Sequence, residues 1–198
     1  MSNYLSEVAV AMVLSDATMY KVSTHALIKF EQGYLQKDFL FHLFNLFKGY
    51  TFMEEPGTRV PKSGHRRDKV KSYWFKTFSH PTFTAIYSMF YSNLNGKTIK
   101  KVNSGLITNY LTGLGLAYWI MGDGSLNSDC MILHTQGFSY DEQLMMSQEL
   151  NAKFGFHSTV IPHKKIYFVI RIPNKDLRTL RELISPHMIP SMSYKVPK

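Results

Sequence analysis

Two apolar segments, each closed by a single aspartate, constrain this chain more than any other feature. They are Val8-Ala9-Val10-Ala11-Met12-Val13-Leu14-Ser15-Asp16-Ala17 and Leu116-Ala117-Tyr118-Trp119-Ile120-Met121-Gly122-Asp123-Gly124-Ser125. Both read as helices buried on most sides. A carboxylate at a helix C-terminus is electrostatically unfavourable, because the helix dipole already places partial negative charge there. One such helix would be an ordinary core element; two, each ending in Asp, point to a cation held between their ends.

The residues after each motif repeat as well. Asp16 is followed by Leu27-Ile28-Lys29-Phe30-Glu31-Gln32-Gly33 and a helix-like Tyr34–Phe44 segment; Asp123 is followed by Met131-Ile132-Leu133-His134-Thr135-Gln136-Gly137 and Phe138–Met146. A period of domain size signals duplication of a half-domain, not a stack of short units. The halves are then related by a pseudo-twofold axis, around which the motif helices pack and bring Asp16 and Asp123 together. Ala11, Ser15 and Gly122 supply the short side chains that such a close helix contact needs.

With 198 residues, 44% of them hydrophobic, the chain can bury a full core. The expected fold class is α+β, one pseudo-symmetric unit of two αββαββα halves with antiparallel sheets and a central two-helix interface. The first half (1–95) reads as helix 4–15, a strand pair over 18–32 turning near Ser23-Thr24, helix 34–48, strands 58–62 and 68–78, and helix 82–92. Residues 96–110 are expected to link the halves, since Asn93 to Ser104 is polar and contains Asn95-Gly96. The second half (111–198) reads as helix 112–121, strand 130–137, helix 139–153, strands 157–162 and 165–172, and helix 174–184. The tail from Pro186, with Pro190 and Pro197, is expected to be irregular.

A formal net charge of +9 favours an anionic partner, and nucleic acid precedes membrane because no segment is long and apolar enough to span a bilayer. The single Cys130 excludes an intramolecular disulfide and a cysteine-rich zinc module, and suits a reducing compartment. Residues 1–15 contain Glu7 and no Lys or Arg, unlike a secretory or Arg-rich transit segment, so the chain is expected to work where it is made. The histidines show no His-Glu-x-x-His spacing, and Gly122-Asp123-Gly124-Ser125 lacks the length and the Lys of a phosphate-binding P-loop.

Basic residues cluster at Arg59, Lys62, Arg66, Arg67, Lys69, Lys71 and Lys76, against the lone acid Asp68. Period-two alternation places Lys69, Lys71 and Tyr73 on one strand face, with Val70 and Trp74 behind. That face, with Lys21 and Lys29, is expected to meet DNA, and the matching surface of the second half would carry His157, Ser158, Lys164, Lys165 and Arg171. Sheet ribbons fit the major groove, where side chains distinguish base pairs, while Lys and Arg contacts to phosphate supply affinity.

The chain resembles the LAGLIDADG homing endonucleases, in particular their single-chain mitochondrial group. The resemblance covers nearly the whole chain and rests on Leu116–Gly124, on Asn109-Tyr110-Leu111-Thr112 upstream of it, and on Ile189-Pro190-Ser191-Met192-Ser193-Tyr194-Lys195-Val196-Pro197 at the C-terminus. The first motif departs from the family pattern in carrying Ala17 in place of Gly and Ser15 in place of a smaller residue; in the second, Tyr118 replaces a small residue.

The resemblance implies a monomer, encoded in a mitochondrial intron, that makes a double-strand break in a long asymmetric site of double-stranded DNA. It implies Asp16 and Asp123 as ligands of Mg²⁺ or Mn²⁺, for which hard carboxylate oxygens are suited. It also implies two lysines near the scissile phosphates: Lys195, matched residue by residue, and Lys97, for which Lys100 or Lys101 are alternatives. Gln32 and Gln136, at the ends of equivalent strands, would orient water or phosphate through their amides, or else satisfy local backbone. Two other functions fit the same scaffold: a maturase that binds host intron RNA, and a DNA-binding protein that does not cut. Paired metal ligands favour the nuclease.

Overall fold

A computed structural model describes residues 1–63 and 67–198. Helix α1 (Asn3–Leu14) starts at Ser2, whose hydroxyl accepts the Leu5 amide, and its Val8–Leu14 stretch is wholly buried. It leads into a sheet of strands β1 (Thr18–Val22), β2 (His25–Gly33), β3 (Gly57–Arg59) and β4 (Ser72–Lys76), all antiparallel neighbours in the order β1-β2-β4-β3. Helices α2 (Lys37–Leu46) and α3 (Pro81–Phe90) cover one face of it.

After α3 come a hairpin of β5 (Tyr91–Leu94) and β6 (Lys97–Lys100) and a short helix α4 (Leu106–Tyr110). The plan then repeats as α5 (Gly113–Asp123), β7 (Gly124–Leu126), β8 (Cys130–Leu133), α6 (Tyr140–Phe154), β9 (Thr159–His163), β10 (Tyr167–Pro173) and α7 (Leu177–Ile184), with sheet order β7-β8-β10-β9. The halves share one core, in which α1 and α5 pack between residues of both sheets. Among the described residues no helix is long and apolar enough to cross a membrane.

Local chemistry explains several boundaries. Ser139 and Glu142 form a reciprocal capping box that starts α6. Glu7, on α1, accepts the amides of Thr112 and Gly115 at 2.6 and 2.7 Å, so one motif helix caps the N-terminus of the other. Thr112 completes the cap by accepting from Leu114.

The polar stretch after α3 is not irregular. Asn95 and Gly96 have φ of 51° and 78°, the left-handed pair that a two-residue hairpin turn demands, so the dipeptide read as a linker signal closes β5 onto β6. Strand β4 is shorter than expected because Asp68, at φ 58°, turns the chain just before it. The C-terminal tail also differs from expectation, winding a 3₁₀ turn over Pro190–Lys195. Ala17 is not among the left-handed residues; it is buried and its amide bonds to Met12 O at 2.7 Å, so it needs no glycine conformation.

Candidate active site

The two motif helices lie against each other through their smallest residues. A Cβ built on Gly122 would sit 2.5 Å from Ser15 Oγ and 3.0 Å from Ser15 Cβ, so the backbones meet at the foot of the pair. Asp16 and Asp123 follow immediately, with their carboxyls within hydrogen-bonding reach of each other. Burial, and then the adjacent Asp16 carboxylate, hold the Asp123 carboxyl well above the usual carboxylate range.

A lysine reaches the foot of each helix. Lys195, 5% exposed, donates to Ile120 O, Met121 O and Gly122 O at 3.1, 2.7 and 3.5 Å, which fixes its ammonium on the C-terminus of α5. Lys100 donates to Ser15 O and Ala17 O, both at 3.4 Å, beyond the C-terminus of α1. Burial draws Lys100 down to about 8 against the opposing pull of Asp123 and Asp16, and burial lowers Lys195 against the same two acids. Lys97 sits at the exposed turn end of β6, paired with Leu94. The geometry thus brings Lys100, the alternative, and not Lys97, to the acids.

The two glutamines are not equivalent. Gln32, 4% exposed, donates from Nε2 to Asp16 Oδ2 at 2.9 Å and so orients that carboxylate. Thr18 pairs with Lys29 in the first sheet and Ser125 pairs with Ile132 in the second, each pair starting two residues after its Asp. Counting on from these pairs, Thr135 occupies the place of Gln32, and Gln136 that of Gly33. Gln136 instead contacts His134 Nδ1 at 3.2 Å. His134, missed in the sequence, lines a cleft of about 650 Å³ with Asp123, Ser125, Gln136 and Lys195. Burial, then His163, Lys195 and Lys164, lower its ring pKa.

Directly opposed residues share a sheet face, and on that rule the open face of the first sheet carries Tyr20, Lys29, Glu31, Arg59, Trp74 and Lys76. Lys29 and Arg59 both pair with Glu31, at 2.7 and 3.1 Å. Tyr73 points the other way, edge-on to Phe41 of α2, because Phe75 two residues on stacks on buried Phe30. The expected alternation was therefore out of phase by one residue. Lys21 also lies on the helix side, over the Tyr87 ring. Lys62, Arg67, Lys69 and Lys71 are exposed in the loop before β4, with Arg67 on Asp68 at 3.3 Å; Arg66 lies outside the described residues.

In the second sheet Arg171 is on the open face, held by Asp129 at 3.0 Å, and Lys164 and Lys165 are exposed at the β9–β10 turn. Ser158 is not available to a ligand: it is 4% exposed and bonded to Ser147 and Asn151. The exposed His157 ring is held 3.0 Å from Asp176. Tyr118, the large residue within α5, is accommodated by hydrogen bonds to Tyr4 at 3.1 Å and His42 at 2.7 Å.

The sequence pattern of the LAGLIDADG DNA endonuclease family matches residues 6–180. A probable intron-encoded DNA endonuclease 3 of Mycosarcoma maydis is 54% identical over 132 residues, 66% of this chain and 96% of that protein. The cytochrome b mRNA maturase bI2 of Saccharomyces cerevisiae is 35% identical over 85% of this chain and 41% of its own length. The solved structure of the homing endonuclease I-WcaI bound to its DNA recognition sequence superposes with a TM-score of 0.86 at 30% identity, covering 99% of this chain and 87% of that one. With these likenesses and the paired helices ending in Asp16 and Asp123, the chain belongs to the LAGLIDADG DNA endonuclease family.

Proposed function

We propose that this protein is an intron-encoded homing endonuclease that cuts both strands of a long asymmetric duplex, acting as a monomer in the mitochondrion. The observation that carries the proposal is the meeting of Asp16 and Asp123, two hard carboxylates with a lysine at each flank. Like charges held that closely are stable only with a shared proton or a cation between them. The donor set fits Mg²⁺ or Mn²⁺, which leave further positions for water and phosphate oxygens. When bound there, such an ion supplies an activated water and stabilises the leaving oxygen.

The chain's own residues supply the rest. Gln32 holds Asp16 in one orientation through its amide. Lys195 spends its donors on the α5 carbonyls, so it acts as a fixed positive charge opposite the developing charge on phosphate, and Lys100 does the same at the end of α1. The open sheet faces, with Lys29, Arg59, Lys76 and Arg171, straddle the duplex on either side of the acids. Because the two faces carry different side chains, the target is asymmetric.

Chelation of divalent ions is expected to stop cutting while duplex binding persists, and added Mg²⁺ or Mn²⁺ restores it. Cutting that survives a chelator would overturn the proposal. A maturase is the second reading, favoured by the 35% identity to a protein of that name; specific retention of intron RNA with no cut in any duplex would support it.

A further inference from the structure

The two half-sites are built from different chemistry, which the register of the sheets exposes. Taking Thr18 and Ser125 as equivalent, His134 stands where the first half has Glu31, and Gln136 where it has Gly33. Glu31 is fully engaged away from the acids, accepting from Ser72 at 2.6 Å and pairing with Lys29 and Arg59. The second half instead has a chain of three polar groups: Gln136 Nε2 lies 3.2 Å from His134 Nδ1, and His134 Nε2 lies 2.8 Å from Ser125 Oγ. All three line the cleft that contains Asp123 and Lys195.

The direction of this chain follows from the donor inventory. The amide of Gln136 donates to Nδ1, which places the ring proton on Nε2; Nε2 then donates to Ser125 Oγ. With one of its two lone pairs so occupied, the hydroxyl keeps its own proton free to donate into the cleft. His134 is held in place by its backbone, whose amide bonds to Asp123 O at 3.0 Å. Ser125 thereby presents a fixed donor beside Asp123, and no imidazole stands at the matching position of the first half.

We infer that Ser125 is a phosphate-contacting residue for one strand only, with His134 and Gln136 as the positioning residues that aim its hydroxyl, so that the two strands are cut by unlike half-sites. This rests on the endonuclease reading above. A neutral hydrogen bond lost from the reacting phosphate costs roughly tenfold in rate.

The test is strand-resolved cleavage of a duplex target labelled separately on each strand, with full-length protein in Mg²⁺. Ser125→Ala and His134→Ala are each expected to slow the same strand roughly tenfold, and the other less than about twofold, so that nicked duplex accumulates. His134→Gln, which keeps an N–H for Ser125, is expected to recover much of the lost rate on that strand. Equal slowing of both strands, or of neither, would overturn the inference while leaving the endonuclease reading intact. Failure of the wild-type protein to cut either strand would overturn both.

Discussion

Replacing Asp16 or Asp123 by Asn is expected to lower cleavage of both strands by on the order of 10³-fold or more, the upper range for loss of one group that stabilises a transition state. Both strands suffer from either change because the carboxyls lie within hydrogen-bonding reach, so any cation between them is shared. DNA affinity is expected to change little, because the basic residues of the open sheet faces are untouched. The Asp123→Asn protein is expected to melt no lower than the wild type. Burial and the neighbouring Asp16 raise the Asp123 carboxyl, which means that its ionised form opposes folding at neutral pH, and an amide removes that opposition. Strand-resolved rates, a binding isotherm and a melting curve on the same variants check all three statements. Full cleavage by either variant would remove the paired-acid site.

Gly122→Ala is expected to destabilise the fold by about 1–3 kcal/mol, the usual cost of an added methyl group in a full core. The new Cβ would lie 2.5 Å from Ser15 Oγ and 3.0 Å from Ser15 Cβ. The hydroxyl has little freedom to retreat, since it already donates to Ala11 O and Met12 O at 3.2 and 3.3 Å. Cleavage is expected to fall as well, because spreading the helices moves Asp16 from Asp123. The interaction is local, so Ser15→Gly in the same chain is expected to recover more than half of the lost stability. A double-mutant cycle in denaturant reads that coupling directly, and additive effects would show that the helices do not meet at these two residues.

The parts of this fold that repeat were legible in the sequence. Val8–Leu14 and Leu114–Met121 are buried almost to the last atom, and a helix apolar on all sides has few places to go but between two sheets. The acids were legible for the same reason: a charged residue at the end of such a helix must be compensated. Sheet phase was less accessible, because Tyr73-Trp74-Phe75 offers three aromatics in a row and no polar residue to mark the open side. The contact of Phe75 with Phe30, which is distant in sequence, decides it. The first-half lysine was hidden by a turn: once Asn95-Gly96 closes a hairpin, Lys97 is left at its tip and Lys100 is carried to the helix end. Gln32 and Gln136 read alike in the sequence, but Gln32 lies within β2 and bonds to Asp16, whereas Gln136 falls in the turn after β8 and contacts His134. His134 carried no signal, since its contact with Ser125 forms only once β7 and β8 have paired.

The measurement closest to the central claim is cleavage of a randomised duplex library by the purified chain, with and without Mg²⁺, followed by sequencing of the ends on both strands. Paired ends that appear only with Mg²⁺ and share a long asymmetric sequence are the expected result. Bound duplex recovered uncut under both conditions would contradict the account, and would leave Asp16 and Asp123 as residues of a recognition scaffold without chemistry.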